Sequence, residues 1–299
     1  MSISFAECSA RERLALLLDP GSFHEWLPPS ARVMSPHLAQ LSVPCAFDDG
    51  VAIGQARIGG RPVFVAAQEG EFMGGGVGEV HGAKLVGLLR RALRDRPEAV
   101  LLLAESGGVR LHEANAGLIA VSEVMRALLD VRAAGIPVVA LIGGANGCFG
   151  GMGIVARCCD RIVMSDIGRL SMSGPEVIEA SHGVEEFDSR DRAQVWRTTG
   201  GKHRYLTGDC DELVEDDVAA FRAAAIVAIT RADKSRPVTL EGLEREHAAL
   251  AQRVASAVAD PDAVGLWQRL GIAAAARIPD LGAADVRSLR PEASAAAAG

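Results

Sequence analysis

The sequence predicts an α/β fold built on a largely parallel sheet, with ligand-binding groups gathered at the strands' carboxyl ends. Three observations carry this. Short, largely apolar runs at residues 99–104, 138–142 and 161–164 read as buried strands. They alternate with segments whose apolar residues recur at helical spacing, which implies βαβ units with right-handed crossovers. Glycine clusters follow the first two strands directly: Glu105-Ser106-Gly107-Gly108-Val109-Arg110, and Gly143-Gly144 through Gly150-Gly151. In such sheets ligands collect at the carboxyl edge.

Taken in order, Ser9 caps a helix over residues 10–18, which stops at the turn tripeptide Asp19-Pro20-Gly21. Residues 22–44 hold several prolines and read as irregular. Residues 51–58 and 62–67, separated by Gly59-Gly60, form an antiparallel hairpin. After the Gly74-Gly75-Gly76-Val77-Gly78 stretch, Leu85, Leu88, Leu89, Ala92 and Leu93 make one stripe of a helix over residues 79–94. Val121, Val124, Met125, Leu128 and Leu129 make a second, ending near Gly135. A short helix is expected around residues 152–158. Residues 183–205 are polar and read as a surface excursion or mobile loop, followed by helices over 217–232, 240–258 and just past Pro261. Residues 294–299 form a small-residue tail expected to fray. The organisation is thus an arm over residues 1–45, a core over 46–235 and C-terminal helices over 236–299.

With 299 residues, 49% of them hydrophobic, the chain can bury a large core. A net charge of −7 argues against general attraction to nucleic acid or anionic membranes. No basic, apolar leader is visible and no apolar run would span a bilayer, so a cytoplasmic protein is expected. The six cysteines include no Cys-x-x-Cys pair, which points to a reducing compartment and inert, packed thiols, Cys158-Cys159 among them.

Several motifs are excluded. Gly-x-Gly-x-x-Gly fails in both registers, its third position falling on Glu79 or His81, and no phosphate-binding Gly-x-x-x-x-Gly-Lys-Ser/Thr exists. Ser106 lacks the flanking glycine of a hydrolase elbow, because position 104 is Ala. The seven histidines show no metal-ligand spacing, so no metal is expected; His112 and His203, beside arginines and glycine turns, are the two to follow. What remains is backbone. A peptide N–H approaches an oxyanion closely only where no Cβ intervenes, so two glycine loops could aim two donors at one developing charge. Arg110 sits where it either salt-bridges Glu113 or meets a ligand anion.

In order, Glu12-Arg13-Leu14, Asp19-Pro20-Gly21-Ser22-Phe23, Gly74 to Gly78 with Lys84, Glu105 to Arg110, Gly150-Gly151 and Gly174-Pro175-Glu176-Val177-Ile178-Glu179 resemble the carboxyltransferase branch of the crotonase superfamily, over residues 10–235. Residues 105–117 and Thr198-Thr199-Gly200-Gly201-Lys202-His203-Arg204 look most like the beta subunits of malonate decarboxylases. The four-cysteine zinc ribbon of bacterial acetyl-CoA carboxylase beta subunits has no counterpart here.

The resemblance implies a crotonase-like ββα spiral, an amino-side carboxyltransferase half-domain with C-terminal helices. It implies a gamma-subunit partner and a malonyl thioester on an acyl carrier protein bearing a CoA-like arm, with no group attached covalently to this chain. Gly107, Gly108, Gly150 and Gly151 would then donate to an enolate oxygen, while Gly74, Gly75, Gly76, Ser106 and Arg110 would line the thioester arm. The family pattern Asp-Ser-Gly-Gly-Ala-Arg reads Glu105-Ser106-Gly107-Gly108-Val109-Arg110 here, a departure that bears on substrate discrimination. Three other readings compete: a biotin-dependent carboxyltransferase half, a stand-alone hydratase, isomerase or thioesterase using Glu105 and Glu113, and a non-catalytic assembly subunit.

Overall fold

The computed structural model describes residues 2–40, 50–113, 115–231, 238–257 and 262–290. Helix α1 (Ala10–Leu17) starts with a capping box in which Ser9 and Glu12 satisfy each other's backbone N–H groups. The segment read as irregular instead contributes strand β1 (His24–Trp26) and helix α2 (Pro36–Gln40). Three residues are too few to show a period, and β1 exists because it pairs antiparallel with the next strand. Strands β2 (Val51–Ile58) and β3 (Arg61–Gln68) form the expected hairpin. Its turn puts both Gly59 and Gly60 at positive φ, 58° and 78°, as a two-residue hairpin turn with matching twist requires.

Beyond it the chain alternates. Helix α3 (Glu79–Asp95) leads to strand β4 (Ala99–Leu103), helix α4 (Asn115–Ala133) to β5 (Val138–Ile142), and helix α5 (Gly150–Arg157) to β6 (Arg161–Ser165). The region expected to be a polar loop holds helices α7 (Arg192–Thr199) and α8 (Gly201–Leu206), preceded by α6 (Pro175–His182). Their buried faces are only a few residues wide, chiefly Val195, Thr199, Tyr205 and Leu206, too few for a readable stripe. Strand β7 (Glu212–Val214) and helices α9 (Val218–Arg231), α10 (Leu240–Ala257), α11 (Ala263–Arg269) and α12 (Ala283–Arg287) complete the order. The expected frayed tail and Cys45 lie outside the described residues; the other five cysteines are free thiols.

Among the described residues seven strands lie in sequence order, antiparallel from β1 to β3 and parallel from β3 to β7. Successive side chains of a strand face opposite ways. Val100 and Leu102 of β4 therefore pack with Leu85, Leu88, Val124 and Leu128 of α3 and α4, while Leu101 and Leu103 pack with Leu14, Leu17 and Phe221 of α1 and α9. Past the strand ends the chain makes a second, short-bridged layer: Val77 with Val109, Ser106 with Cys148, Cys148 with Leu170, and Arg169 with Gly200. Each turn of chain is thus strand, short bridge and helix, stacked as a spiral, which is the crotonase-like fold.

One buried ion pair locks the first helix to this edge. Arg13 and Glu105, both almost fully buried, are paired, and Arg13 Nε also donates to the Phe5 carbonyl at 2.8 Å. Removing one partner of a buried pair strands a charge in low dielectric. Arg13→Ala is expected to lower the unfolding free energy by about 3–5 kcal/mol in urea titrations. Arg11→Ala, which breaks the exposed pair with Glu25, is expected to cost less than about 1 kcal/mol.

Candidate active site

The two glycine loops meet backbone to backbone. Ser106 N–H donates to the Gly147 carbonyl at 2.8 Å, and Phe149 N–H donates to the Ser106 carbonyl at 2.7 Å. This short ladder carries the two chains to a contact between Gly108 (φ 122°) and Gly150 (φ 58°). A Cβ on Gly150 would lie 2.7 Å from the Gly108 Cα, and one on Gly108 would lie 3.3 Å from the Gly150 Cα. Both the positive φ and the space exclude a side chain there.

Most of the expected donors are already engaged. Gly107 N–H donates to the Gly74 carbonyl at 2.8 Å, Gly108 N–H to Ser106 Oγ at 3.1 Å, and Gly150 N–H to the Met172 carbonyl at 2.8 Å. Among the described residues, the N–H groups that stay unengaged at this junction are those of Val109 and, in the first turn of α5, Gly151 and Met152. Val109 follows Gly108 and is half-buried; Gly151 follows Gly150 in the first turn of α5, where helix N–H groups have no intrahelical partner. Val109 was missed from the sequence because a loop's glycines are visible while the direction of each amide is not.

The Gly74-Gly75-Gly76 loop lies against the first glycine loop, as the Gly107 N–H bond shows, and Val77 N–H donates to the Gly108 carbonyl at 2.8 Å. Ser106 is fully buried, its Oγ turned onto Gly108, so it shapes the loop. Arg110 is buried beneath it. Its guanidinium pairs with Glu113 at 2.7 Å and donates to the Gly76 carbonyl at 2.9 Å, the salt-bridge alternative of the two left open. Burial alone would raise the Glu113 pKa, but the Glu79 N–H and Arg110 hold it below the usual carboxylate range. Glu105 is fixed by Arg13 and by the Asn146 N–H at 3.0 Å. Both acidic groups near the loops therefore sit in buried ion pairs. Cys148, between the loops, is no nucleophile, because burial pushes its thiol up to about 12. No cluster of metal-ligating side chains occurs among the described residues.

His112 is exposed on the turn after the first loop, whereas His203 is buried on α8, its ring 6.0 Å from that of Trp267. Burial drives His203 down to about 3.

The chain belongs to the carboxyl transferase domain family, whose model matches residues 6–244. Within it, the chain is 45% identical over 242 residues to the malonyl-S-ACP:biotin-protein carboxyltransferase of Malonomonas rubra, covering 76% of each chain. It is 30% identical to the propionyl-CoA carboxylase beta chain of Saccharopolyspora erythraea, covering 86% of this chain and 45% of that one. Among solved structures, a chain of the Pseudomonas malonate decarboxylase hetero-tetramer in complex with malonate superposes with a TM-score of 0.81 at 40% identity, over 89% of this chain and 97% of that one. The resemblance to malonate decarboxylase subunits read from the sequence thus holds in both sequence and structure. No helix among the described residues is long and apolar enough to cross a membrane.

Two outcomes are expected. Gly74→Ala, at φ 65° with open space around it, should cost about 1–2 kcal/mol of stability, and Gly150→Ala at least about 1 kcal/mol more, by the displacement of Gly108; chemical denaturation measures both. His203 is neutral when folded and titrates near its ordinary 6.5 when unfolded. As pH falls below 6.5 the unfolded chain takes up a proton that the folded one refuses, so stability declines toward pH 3. The slope is at most about 1.4 kcal/mol per unit. His203→Leu should flatten that slope by up to one proton between pH 6 and 4.5.

Proposed function

We propose that this chain is the beta subunit of a malonate decarboxylase, and that it releases carbon dioxide from a malonyl thioester carried on the CoA-like arm of an acyl carrier protein. The observation that carries this reading is the junction of the two glycine loops, with the Val109 and Gly151 N–H groups unengaged on either side of it. Decarboxylation leaves negative charge on the thioester oxygen of an enolate, and donors fixed before the reaction stabilise that charge without reorganising. In this refinement Gly107, Gly108 and Gly150 permit the approach, Val109 and Gly151 donate, and the Gly74 to Gly76 loop borders the arm. The first turn of α5 adds a favourable dipole for an anion. A hydratase or isomerase would need a free acid and base, whereas Glu105 and Glu113 are held in ion pairs.

A partner subunit fits the same surface. Leu111, Leu118, Ile119 and Ile154, on segments just past the two loops, and Met172, whose carbonyl accepts from the Gly150 N–H, are exposed. Apolar side chains gathered beside a polar site mark a face that another protein covers. One of the solved relatives is described as a malonate decarboxylase hetero-dimer, at 35% identity and a TM-score of 0.66. We assign the gamma subunit to this face, with the proton for the enolate carbon coming from that subunit or from water.

The second reading, transfer of the carboxyl group to carrier-bound biotin, is favoured by the name of the Malonomonas relative. One assay separates the two: carbon dioxide release from malonyl carrier by this chain, alone and with its gamma partner, with biotin absent and avidin present. Decarboxylation is expected in the mixture only, insensitive to avidin; a verified complex that is inactive until biotin is supplied would put the transferase reading first. In the active mixture, Gly151→Pro, which deletes the N–H, should lose about 10²–10³-fold in rate relative to Gly151→Ala, which brings a similar Cβ against Val121 but keeps the donor.

A further inference from the structure

Between the loop that follows β5 and helices α6 and α7 lies a cleft of about 540 Å³. In a chain of net charge −7 its lining is cationic: Arg169, Arg190 and Arg192 line it, against the carboxylate of Glu176, with Arg190 paired to Asp188 at 3.3 Å. Arg169 is half-buried and held in place. Its guanidinium lies 5.6 Å from the Phe149 ring centroid and 4.8 Å from that of Trp196, and it donates to the Ala145 carbonyl.

Yet among the described residues neither Arg169 nor Arg192 has a carboxylate within 4.0 Å. The arginines buried more deeply at this edge are paired, Arg13 with Glu105 and Arg110 with Glu113. Withdrawing a guanidinium from water without a contacting counter-charge is unfavourable, and Glu176 and Glu105 act on Arg169 only from beyond 4.0 Å. Burial indeed lowers the Arg169 pKa. Trp196 and Arg192 also border a neighbouring hollow of about 460 Å³, lined by Arg197 and Lys202 together with Asp166.

We propose that this cleft is a binding site for a phosphate ester, gripped by Arg169 and Arg192. A guanidinium is a planar fork that meets phosphate oxygens in pairs, and two of them on separate elements suit a tetrahedral group with several oxygens better than a planar carboxylate. Phe149, against which Arg169 stacks, is the N-cap of α5, so an ester held here is anchored on the loop that bears Gly150 and Gly151. This deepens, and rests on, the reading of the substrate as a thioester on a CoA-like arm. It moves the arm's anion contact from Arg110, which is internal, to Arg169 and Arg192. The ester is either a phosphate of free CoA or the phosphodiester of a carrier-bound arm.

The test is calorimetric titration of the full chain with CoA and with pantetheine, which has no phosphate, for the parent, Arg192→Ala and Arg169→Gln. CoA is expected to bind more tightly than pantetheine. Each substitution should weaken CoA about tenfold and leave pantetheine unchanged; Arg192 is exposed, so its variant is expected to keep the parent's melting curve. Parent affinity for CoA no better than for pantetheine, or CoA affinity within twofold of the parent in both variants, would overturn the proposal. Repeating the titration with the carrier protein bearing its arm separates the sources: weakening there assigns the site to the phosphodiester, and weakening confined to CoA assigns it to the nucleotide phosphates. Because binding is read and not turnover, an inactive complex leaves this result intact.

Discussion

The approach of Gly108 to Gly150 is the constraint around which the rest of this molecule is arranged. A side chain at Gly150 would come within 2.7 Å of the Gly108 Cα and push the loops apart, and one at Gly108 would crowd the Gly150 Cα at 3.3 Å. With the loops in contact, three of the four glycine amides that face the junction are consumed in holding it together. The next amide along each loop, that of Val109 and of Gly151, is left unengaged, and on the proposed reading these two meet the anion. On that reading, binding of charge and integrity of the loops fall to adjacent residues, and substitutions one position apart should affect different properties.

Everything beneath the junction keeps it rigid. The sheet is filled on both faces, with alternate residues of β4 directed into separate cores. The charged residues nearest the loops are paired inward, Glu105 onto Arg13 and Glu113 onto Arg110, and so hold backbone in place. Such pairs add little net stability compared with apolar packing, but each is intolerant of losing one partner. The site that results has no thiolate and no metal cluster among the described residues, its two nearest carboxylates are held in ion pairs, and it offers fixed dipoles instead. That inventory suits a reaction whose difficulty is a transient oxyanion, and it suits a half-site that a second protein completes.

Much of this was legible in the sequence because it is written in period and punctuation. The buried strands, the stripes of α3 and α4, the Gly59-Gly60 hairpin and the two glycine loops all declare themselves locally. What was not legible depends on partners far along the chain. Strands β1 and β7 are three residues each and exist only by pairing. Helices α7 and α8 bury narrow faces and read as polar loop. Arg13 finds Glu105 across 92 positions, and Arg110 has its carboxylate three residues away, where the sequence could not decide between a structural and a ligand role. The identity of the unengaged amides depends on which way each peptide points, a property of the folded backbone alone.

The most direct test of the central claim is a crystal structure of the chain with the proposed gamma partner and a malonyl thioester analogue that cannot lose its carboxylate. The thioester oxygen is expected at hydrogen-bonding distance, about 2.7–3.1 Å, from the Val109 and Gly151 nitrogens. An oxygen that instead meets donors of the partner subunit, with those two amides facing only water, would contradict the account.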